Sequence, residues 1–296
     1  MMGGESVTAA VVTFNPDAGL EERLRRLVDQ AAAVVVVDNG SREAAGIAAL
    51  TERLGIALIA NRANLGIARA LNQAADWAFG RGAAWLALFD HDSLVPEAAL
   101  PELLRLVDGL DGRLGVLAMS HRDRATGADY HRPADVLVSG PGWRGVRTTI
   151  TSGSLIRRQA YAEAGPFDDA LFIDAVDHDF CLRCRRAGWA IVEAERPVLE
   201  HALGDISRVL GAPLSNHSPD RRYYITRNTL EVARRHRAFD PTWSRQARRF
   251  LLADSLAVLL FESRRGDKLR AIFDGVRDFR RRRFGPRLSG RPGSGE

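Results

Sequence analysis

Two hydrophobic rhythms alternate along the first 120 residues. Short unbroken apolar runs, rich in β-branched residues, lie at 7–14, 33–37, 56–60, 85–89 and 115–119. Each is strand-length, and most stop at Asn, Asp, Gly or Pro, which predicts buried strands. Between them apolar residues recur every three or four positions, as at Leu20, Leu24, Leu27 and Val28. That period predicts helices over 20–29, 44–54, 67–79 and 96–106. Strands alternating with helices indicate an α/β fold with a Rossmann-like, mostly parallel central sheet flanked by helices. Polar clusters follow the strands at 13–15, 38–41, 61–64 and 90–93. Open α/β sheets bind ligands at the carboxyl ends of their strands, so these clusters mark a candidate site.

Beyond residue 120 the pattern loosens. Residues 120–150 are irregular and rich in Gly, Pro and Arg, 148–156 reads as a strand, and a helix starts near 159. A helix over 180–187 and a strand over 191–199 follow, and then helical periods at 222–237, 244–261 and 268–279. The expected organisation is a leader (1–6), an α/β domain (7–215), a helical basic C-terminal extension (216–285) and a flexible tail (286–296). Gly140, Gly142 and Gly145 match a dinucleotide-binding glycine spacing, but they neither follow a first strand nor open a helix, so they carry no cofactor signal.

Composition narrows the class. Hydrophobic residues make up 46% and charged residues 27%, an ordinary globular profile that argues against disorder. No run of eighteen apolar residues occurs and the start does not read as a signal peptide, so a cytoplasmic location is expected. Two cysteines, Cys181 and Cys184, fit a reducing compartment. Net charge is +5, but residues 205–296 hold 21 Lys+Arg against 10 Asp+Glu, and the rest of the chain is net acidic. A basic segment attracts anionic lipid or nucleic acid. No aromatic-interleaved RNA motif is present, so no nucleic-acid partner is expected. The apolar run 250–261 is flanked by Arg245, Arg248, Arg249, Arg264 and Arg265. It reads either as a docking segment for an anionic membrane surface, on the inner face of the plasma membrane, or as a packed helix with a solvated basic face.

Several residues carry chemistry. Asp90 and Asp92 stand on alternate positions after an apolar run, and two such carboxylates repel unless a cation joins them. Hard oxygen ligands suit Mg²⁺ or Mn²⁺ bridging to a diphosphate. The other reading is a solvated turn. Residues 61–72, NRANLGIARALN, place Asn64 and Gly66 at a helix start, either as an ordinary cap or with free N–H groups facing an anion. Asp174, Asp177 and Asp179 lie on the approach to the helix at 180, with Asp179 expected to cap it. Cys181 and Cys184 have no second pair and sit in an Arg-rich helix, so a zinc or redox role is not expected. His201 follows a strand and is either structural or a metal ligand near the acidic pair.

Taken in order, these pieces resemble the inverting glycosyltransferases of family 2, with the GT-A fold, from about residue 7 to 204. VVTFN resembles the first nucleotide-contact strand, which implies roles for Thr13, Phe14 and Asn15. VVDNGS resembles the turn whose first Asp, here Asp38, faces the base. NLGIARALN is similar to the helix beside the nucleotide sugar, implicating Asn64, Gly66, Ile67, Ala68 and Asn72. FDHDS takes the place of the metal-binding Asp-x-Asp, with Asp92 and Asp90 as ligands and His201 assisting. TSGSL resembles the sugar and acceptor pocket, with Ser152 and Gly153, and Asp174 is assigned to the same pocket. The acidic block before CLRCRRAGW puts Asp177 at the catalytic-base position. FDHDS, FIDAVDHDFCLR and RRYYITRN resemble bacterial rhamnosyltransferases, which implies dTDP-L-rhamnose as donor and a glycan or lipid-linked acceptor, in cell-wall polysaccharide synthesis. Two departures stand out: Val176 where many relatives have Glu, and His91 where Gln is frequent.

The chemistry suits the residues. A divalent ion at Asp92 neutralises a leaving diphosphate. An aspartate such as Asp177 takes the acceptor proton, and one displacement inverts the anomeric centre. Two other classes are weighed against this: a nucleotidyltransferase, which would release pyrophosphate rather than nucleoside diphosphate, and a non-catalytic membrane-surface module.

Overall fold

Val7–Thr13 forms the central parallel strand β1, and all seven of its residues are buried. Burial on both faces is why the strand reads as one apolar run rather than an alternation. The computed structural model describes residues 6–110, 112–123, 135–201, 206–209 and 212–287, with side chains in all of these except 123, 200, 201, 206–209 and 212–215. The leader expected at 1–6 and the tail at 286–296 lie almost wholly outside the described residues.

The following elements are α1 (Leu20–Val28), β2 (Ala33–Asp38), α2 (Ala44–Leu54), β3 (Ala57–Ala60), α3 (Ile67–Gly80), β4 (Trp85–Asp90) and α4 (Ala99–Val107). This stretch follows the expected alternation closely. Then come β5 (Leu114–Asp123), β6 (Val136–Gly140), β7 (Trp143–Val146), β8 (Ser154–Arg157), α5 (Arg158–Ala164), α6 (Val176–Arg186) and β9 (Ala190–His201). The nine strands form one sheet in the order β3-β2-β1-β4-β8-β5-β9-β7-β6. The ladders from β3 to β4 are parallel, β8 runs antiparallel to both β4 and β5, and β5 pairs with β9 in parallel. The parallel character is therefore strongest in the amino-terminal half.

Three local expectations need correction. Residues 120–150 contain a hairpin, β6–β7, whose turn is Pro141–Gly142. Gly142 has φ +77°, the conformation a turn with Pro before Gly requires. Residues 148–153 are not strand, because Gly153 turns the chain at φ +78° and β8 starts only at Ser154. Helix α6 starts at Val176, four residues early, and Asp179 is not its cap: it is buried inside the first turn and pairs with Arg183 at 2.8 Å.

The core between sheet and helices is assembled from Leu24 and Leu27 of α1, Trp85 and Phe89 of β4, Leu100 and Leu103 of α4, and Leu117 and Leu155. Helix α3 buries five alanines, so its backbone can lie close to the strands. Each large side chain buried this way contributes about 1.5–3 kcal/mol.

The chain divides into two compact units. The first runs to Asp168 and resumes from Val176 through β9; the second takes Asp169–Ala175 and the chain from residue 205 onward. The second unit holds a two-stranded ribbon, β10 (Ile206–Val209) with β11 (Ala212–Ser215), and helices α7 (Pro219–Arg235), α8 (Pro241–Phe261) and α9 (Arg265–Arg280). Its interior is unusually charged. Arg222 is buried against Asp254 and Glu262, and Lys268 reaches Glu262 at 2.7 Å. Segment 169–175 is strained: Phe172, Asp174 and Ala175 all have φ near +60°. Asn228 of α7 holds it, its amide nitrogen within hydrogen-bonding reach of the carbonyls of Leu171 (2.7 Å), Ile173 (2.6 Å) and Asp174 (3.1 Å). Arg227 donates to the Leu171 carbonyl as well, and Phe172 stacks on Tyr224.

Glu231 of α7 is fully buried and accepts hydrogen bonds from Arg234, Arg235 and Arg282. Burial alone would raise its carboxyl; the arginine hydrogen bonds and charges outweigh it and hold the group at about 2. A depressed carboxyl stabilises the fold above the ordinary Glu range and loses that contribution as pH falls toward 2. Glu231→Gln is therefore expected to cost on the order of 2–3 kcal/mol at neutral pH, allowing for the exposed arginines. Thermal unfolding across pH checks this: the gap to wild type should close as pH falls from about 4.5 toward 2.

Candidate active site at the strand ends

Parallel pairing brings the first site residues together. Thr13 is opposite Asp38 in the β1–β2 ladder, and Val12 is opposite Asp90 in the β1–β4 ladder. The polar turns after β1, β2 and β4 therefore leave the sheet at one rim. Asp38 is 1% exposed. Its Oδ1 accepts from the hydroxyls of Thr13 (3.0 Å) and Ser41 (2.5 Å), and its Oδ2 accepts from the Ser41 N–H (3.2 Å). Asn15 completes the corner: its N–H donates to Ser41 Oγ, and its side-chain oxygen accepts from the Arg42 N–H. A carboxylate offers about four acceptor sites, so one on Oδ2 remains after these bonds. Phe14 is exposed beside them.

An amide network joins the next two turns. Asn39 donates to Asn64 (3.0 Å), Asn61 donates to Asn39 (3.2 Å), and Asn39 accepts from the Leu65 N–H (3.0 Å). Gly40 must be glycine here, since a Cβ would stand 2.6 Å from the Ala63 carbonyl carbon. Asn64 accepts from the Gly66 N–H at the start of α3. Ala68 is fully buried, and Ile67 is half-buried. Asn72 is not part of this network. It donates to the Phe167 carbonyl (2.9 Å) and accepts from the Phe167 N–H (2.8 Å) and the Tyr161 hydroxyl (2.9 Å).

Ser152 connects the acidic turn to the segment before β8. Its hydroxyl accepts from the Asp90 N–H (3.2 Å) and meets Ser93 Oγ (2.8 Å). Gly153 donates to the Leu88 carbonyl (2.8 Å), and the Ser152 carbonyl meets His121 Nε2 (2.7 Å). The same segment reaches α6, where His178 Nδ1 meets Thr148 Oγ1 at 2.9 Å and Cys181 lies against the Thr149 carbonyl. Asp177 stands half-buried in the first turn of α6, next to His178. Val176, where a second carboxylate was missing from the motif, packs inward at 3% exposure. Ser93, His121, Thr148 and His178 thus support the site without having been singled out. Ser93 and His178 carried a signal, as members of FDHDS and FIDAVDHDFCLR.

Two sequence candidates are not among these contacts. Asp174 belongs to the second unit, where Arg221 approaches its carboxylate at 3.4 Å. The His201 side chain lies outside the described residues. Cys181 and Cys184 are buried free thiols, and burial pushes Cys184 up to about 12, so neither supplies a thiolate at neutral pH.

Among the described residues no group of three or more His, Cys, Asp or Glu is arranged to hold a metal. One atom nonetheless fits a cation: Asp92 Oδ1 is buried and has no hydrogen-bond partner. Small hard cations commonly use one or two carboxylates and take their other ligands from substrate phosphates and water.

The rim lies at the strand ends of an α/β sheet, and similarity to known proteins shows the family. Residues 8–163, just over half of the chain, match the model for Glycosyl transferase family 2. The chain belongs to this family of glycosyltransferases. It is similar to the dTDP-rhamnosyl transferase RfbF of Shigella flexneri, at 28% identity over 78% of this chain and 81% of the relative. It is also similar to the N-acetylglucosaminyl-diphospho-decaprenol L-rhamnosyltransferase of Mycobacterium tuberculosis, at 26% identity over 83% and 89%. Among solved structures, S. aureus TarS 1-349 in complex with UDP-GlcNAc has a TM-score of 0.61 at 15% identity, over 92% of this chain and 81% of that one. GalNAc-T7 with UDP, GalNAc and Mn²⁺ has a TM-score of 0.57 at 13% identity, over 76% of this chain and 48% of that one. These structures share the GT-A type of fold.

Because Asn72 satisfies buried Phe167 and Tyr161 groups, its first task is structural. Asn72→Ala should remove these three hydrogen bonds and cost about 2–4 kcal/mol, read by chemical denaturation.

Proposed function

We propose that this glycosyltransferase moves L-rhamnose from dTDP-L-rhamnose onto a glycan or lipid-linked glycan, with inversion, at the rim formed by the turns after β1, β2 and β4. The observation that carries the donor is that both curated relatives are named rhamnosyltransferases and align over about four fifths of this chain. The geometry supports the division of labour. Asp38, with Thr13 and Asn15 around it, offers its remaining acceptor site to a pyrimidine N–H. Asn64 and the Gly66 end of α3 flank the nucleotide sugar. Asp92, with Asp90 beside it, would hold Mg²⁺ or Mn²⁺, and the orphaned Asp92 oxygen is the atom that supports this. When bound, such an ion neutralises charge on the departing diphosphate.

Asp177 acts as general base. The acceptor hydroxyl gives its proton to the Asp177 carboxylate while its oxygen bonds to the anomeric carbon. The bond from that carbon to the diphosphate oxygen breaks, and nucleoside diphosphate leaves from the opposite face. Buried Val176 leaves one carboxylate at this position, sufficient for a single displacement and without the nucleophile a double displacement uses. Ser152 and Gly153 shape the acceptor side of the acidic turn.

Asp177→Asn keeps the shape and removes the proton acceptor, so kcat should fall by ~10² or more with donor KM largely kept. A near-wild-type rate would move the base elsewhere. The donor and metal are tested together by nucleoside diphosphate release from a panel of dTDP-, UDP- and GDP-sugars, with Mg²⁺, Mn²⁺ or excess chelator. Release is expected to be greatest with dTDP-L-rhamnose and to collapse in chelator and in Asp92→Asn. Preference for a UDP-sugar would overturn the donor, and full activity in chelator would overturn the metal.

A further inference from the structure

Helix α8 separates its apolar run into two sides. Trp243, Leu251 and Val258 are buried, and Asp254 turns inward to Arg222. On the opposite side Leu252 is 73% exposed, Leu256 55%, Leu259 49% and Leu260 50%. Residues spaced by three and four share a helix face. Arg245, Arg248 and Arg249 continue this face toward the helix start, and all three are exposed. Among the described residues none of the three forms an ion pair. The face is thus a basic turn followed by a leucine ridge.

The charge pattern selects the partner. Asp254 is the only acidic residue in α8, and it is taken up by Arg222. The exposed face offers anions nothing repulsive and offers a second copy of itself no carboxylate to meet its arginines. A two-fold pairing of α8 with α8 would set unpaired arginines against arginines or against leucines, and unpaired buried charge is costly. A surface that supplies negative charge beside an apolar layer answers both halves of the face. No helix among the described residues is long and apolar enough to cross a membrane. A helix with leucines on one face and arginines at its end lies in the interface instead.

We propose that α8 docks on an anionic lipid bilayer, with Leu252, Leu256, Leu259 and Leu260 entering the acyl boundary and Arg245, Arg248 and Arg249 meeting lipid phosphates. This stands independently of the donor, the base and the metal. Because all seven side chains are exposed, replacing them leaves the buried side of the helix intact.

The test is co-sedimentation of the full chain with vesicles of phosphatidylcholine alone or with one third phosphatidylglycerol. It is run at about 0.1 M and about 1 M salt, where the screening length falls from ~10 to ~3 Å. Binding is expected only with phosphatidylglycerol, and it should weaken at high salt. Arg248→Ser with Arg249→Ser should lower partition about 25-fold, from about fivefold per arginine. Leu256→Ser with Leu259→Ser should lower it tenfold or more at low salt. Thermal melts matching wild type show that both variants fold. Leu256→Trp should shift its emission to the blue with anionic vesicles. Equal binding to neutral vesicles, or none to anionic ones, overturns the proposal. So does a dimer in sedimentation velocity that Leu256→Ser with Leu259→Ser dissolves, since a second copy then covers the face.

Discussion

The in-step parallel pairing of β1 with β2 and β4 is the constraint on which the rest depends. It aligns Thr13 with Asp38 and Val12 with Asp90, so three polar turns emerge from one edge of the sheet. A slip of one residue would turn Asp38 to the other face and break the Thr13–Asp38–Ser41 corner. Strand β8 then uses direction rather than register. It runs antiparallel to β4 with Leu88 opposite Ser154, so the start of β8 lies where β4 ends. This is how Ser152, some sixty residues on, comes to hydrogen-bond to the acidic turn, and Gly153 to Leu88 of β4.

The second unit is built on another principle. Its helices meet through Arg222, Glu262 and Lys268, all nearly excluded from solvent, rather than through a wholly apolar core. Buried ion pairs add little net stability, because desolvation offsets most of the attraction. They are demanding in geometry, however, since a displaced partner leaves an uncompensated charge. Glu262, which ends α8, receives both Arg222 of α7 and Lys268 of α9, so one carboxylate sets three helix ends against one another. The one lysine among 42 basic residues is used here, inside.

This contrast decides what could be read from the chain. Strands buried on both faces appear as apolar runs, and β1, β2 and β4 were legible to within a residue or two, as was the acidic turn after β4. The β6–β7 hairpin was not, because most of β6 is exposed or half-exposed and carries no burial signal. The start of α6 was misjudged because left-handed φ values at Asp174 and Ala175 leave no mark in composition, while Asp179 spends its charge on Arg183 inside the helix. That the polar turns share one rim was legible from the strand pattern; the supporting bonds of His121, Thr148 and His178 were not, since each depends on a partner about 30 residues away. In the basic region, charge counted along the chain cannot distinguish Arg222, buried and paired, from Arg248, exposed and unpaired.

The clamp of Asn228 on segment 169–175 has a consequence for how the protein is made. The amide and the Leu171 carbonyl it holds are 57 residues apart. At ~5–20 residues per second, the ribosome needs on the order of 3–10 s to travel that distance. Throughout that interval the Asn228 amide is absent, so the left-handed backbone of Phe172, Asp174 and Ala175 lacks its clamp. The sheet can be complete through β8 while this segment is still unclamped. Its clamped form is therefore a late event of biosynthesis, reached only when α7 has left the exit tunnel.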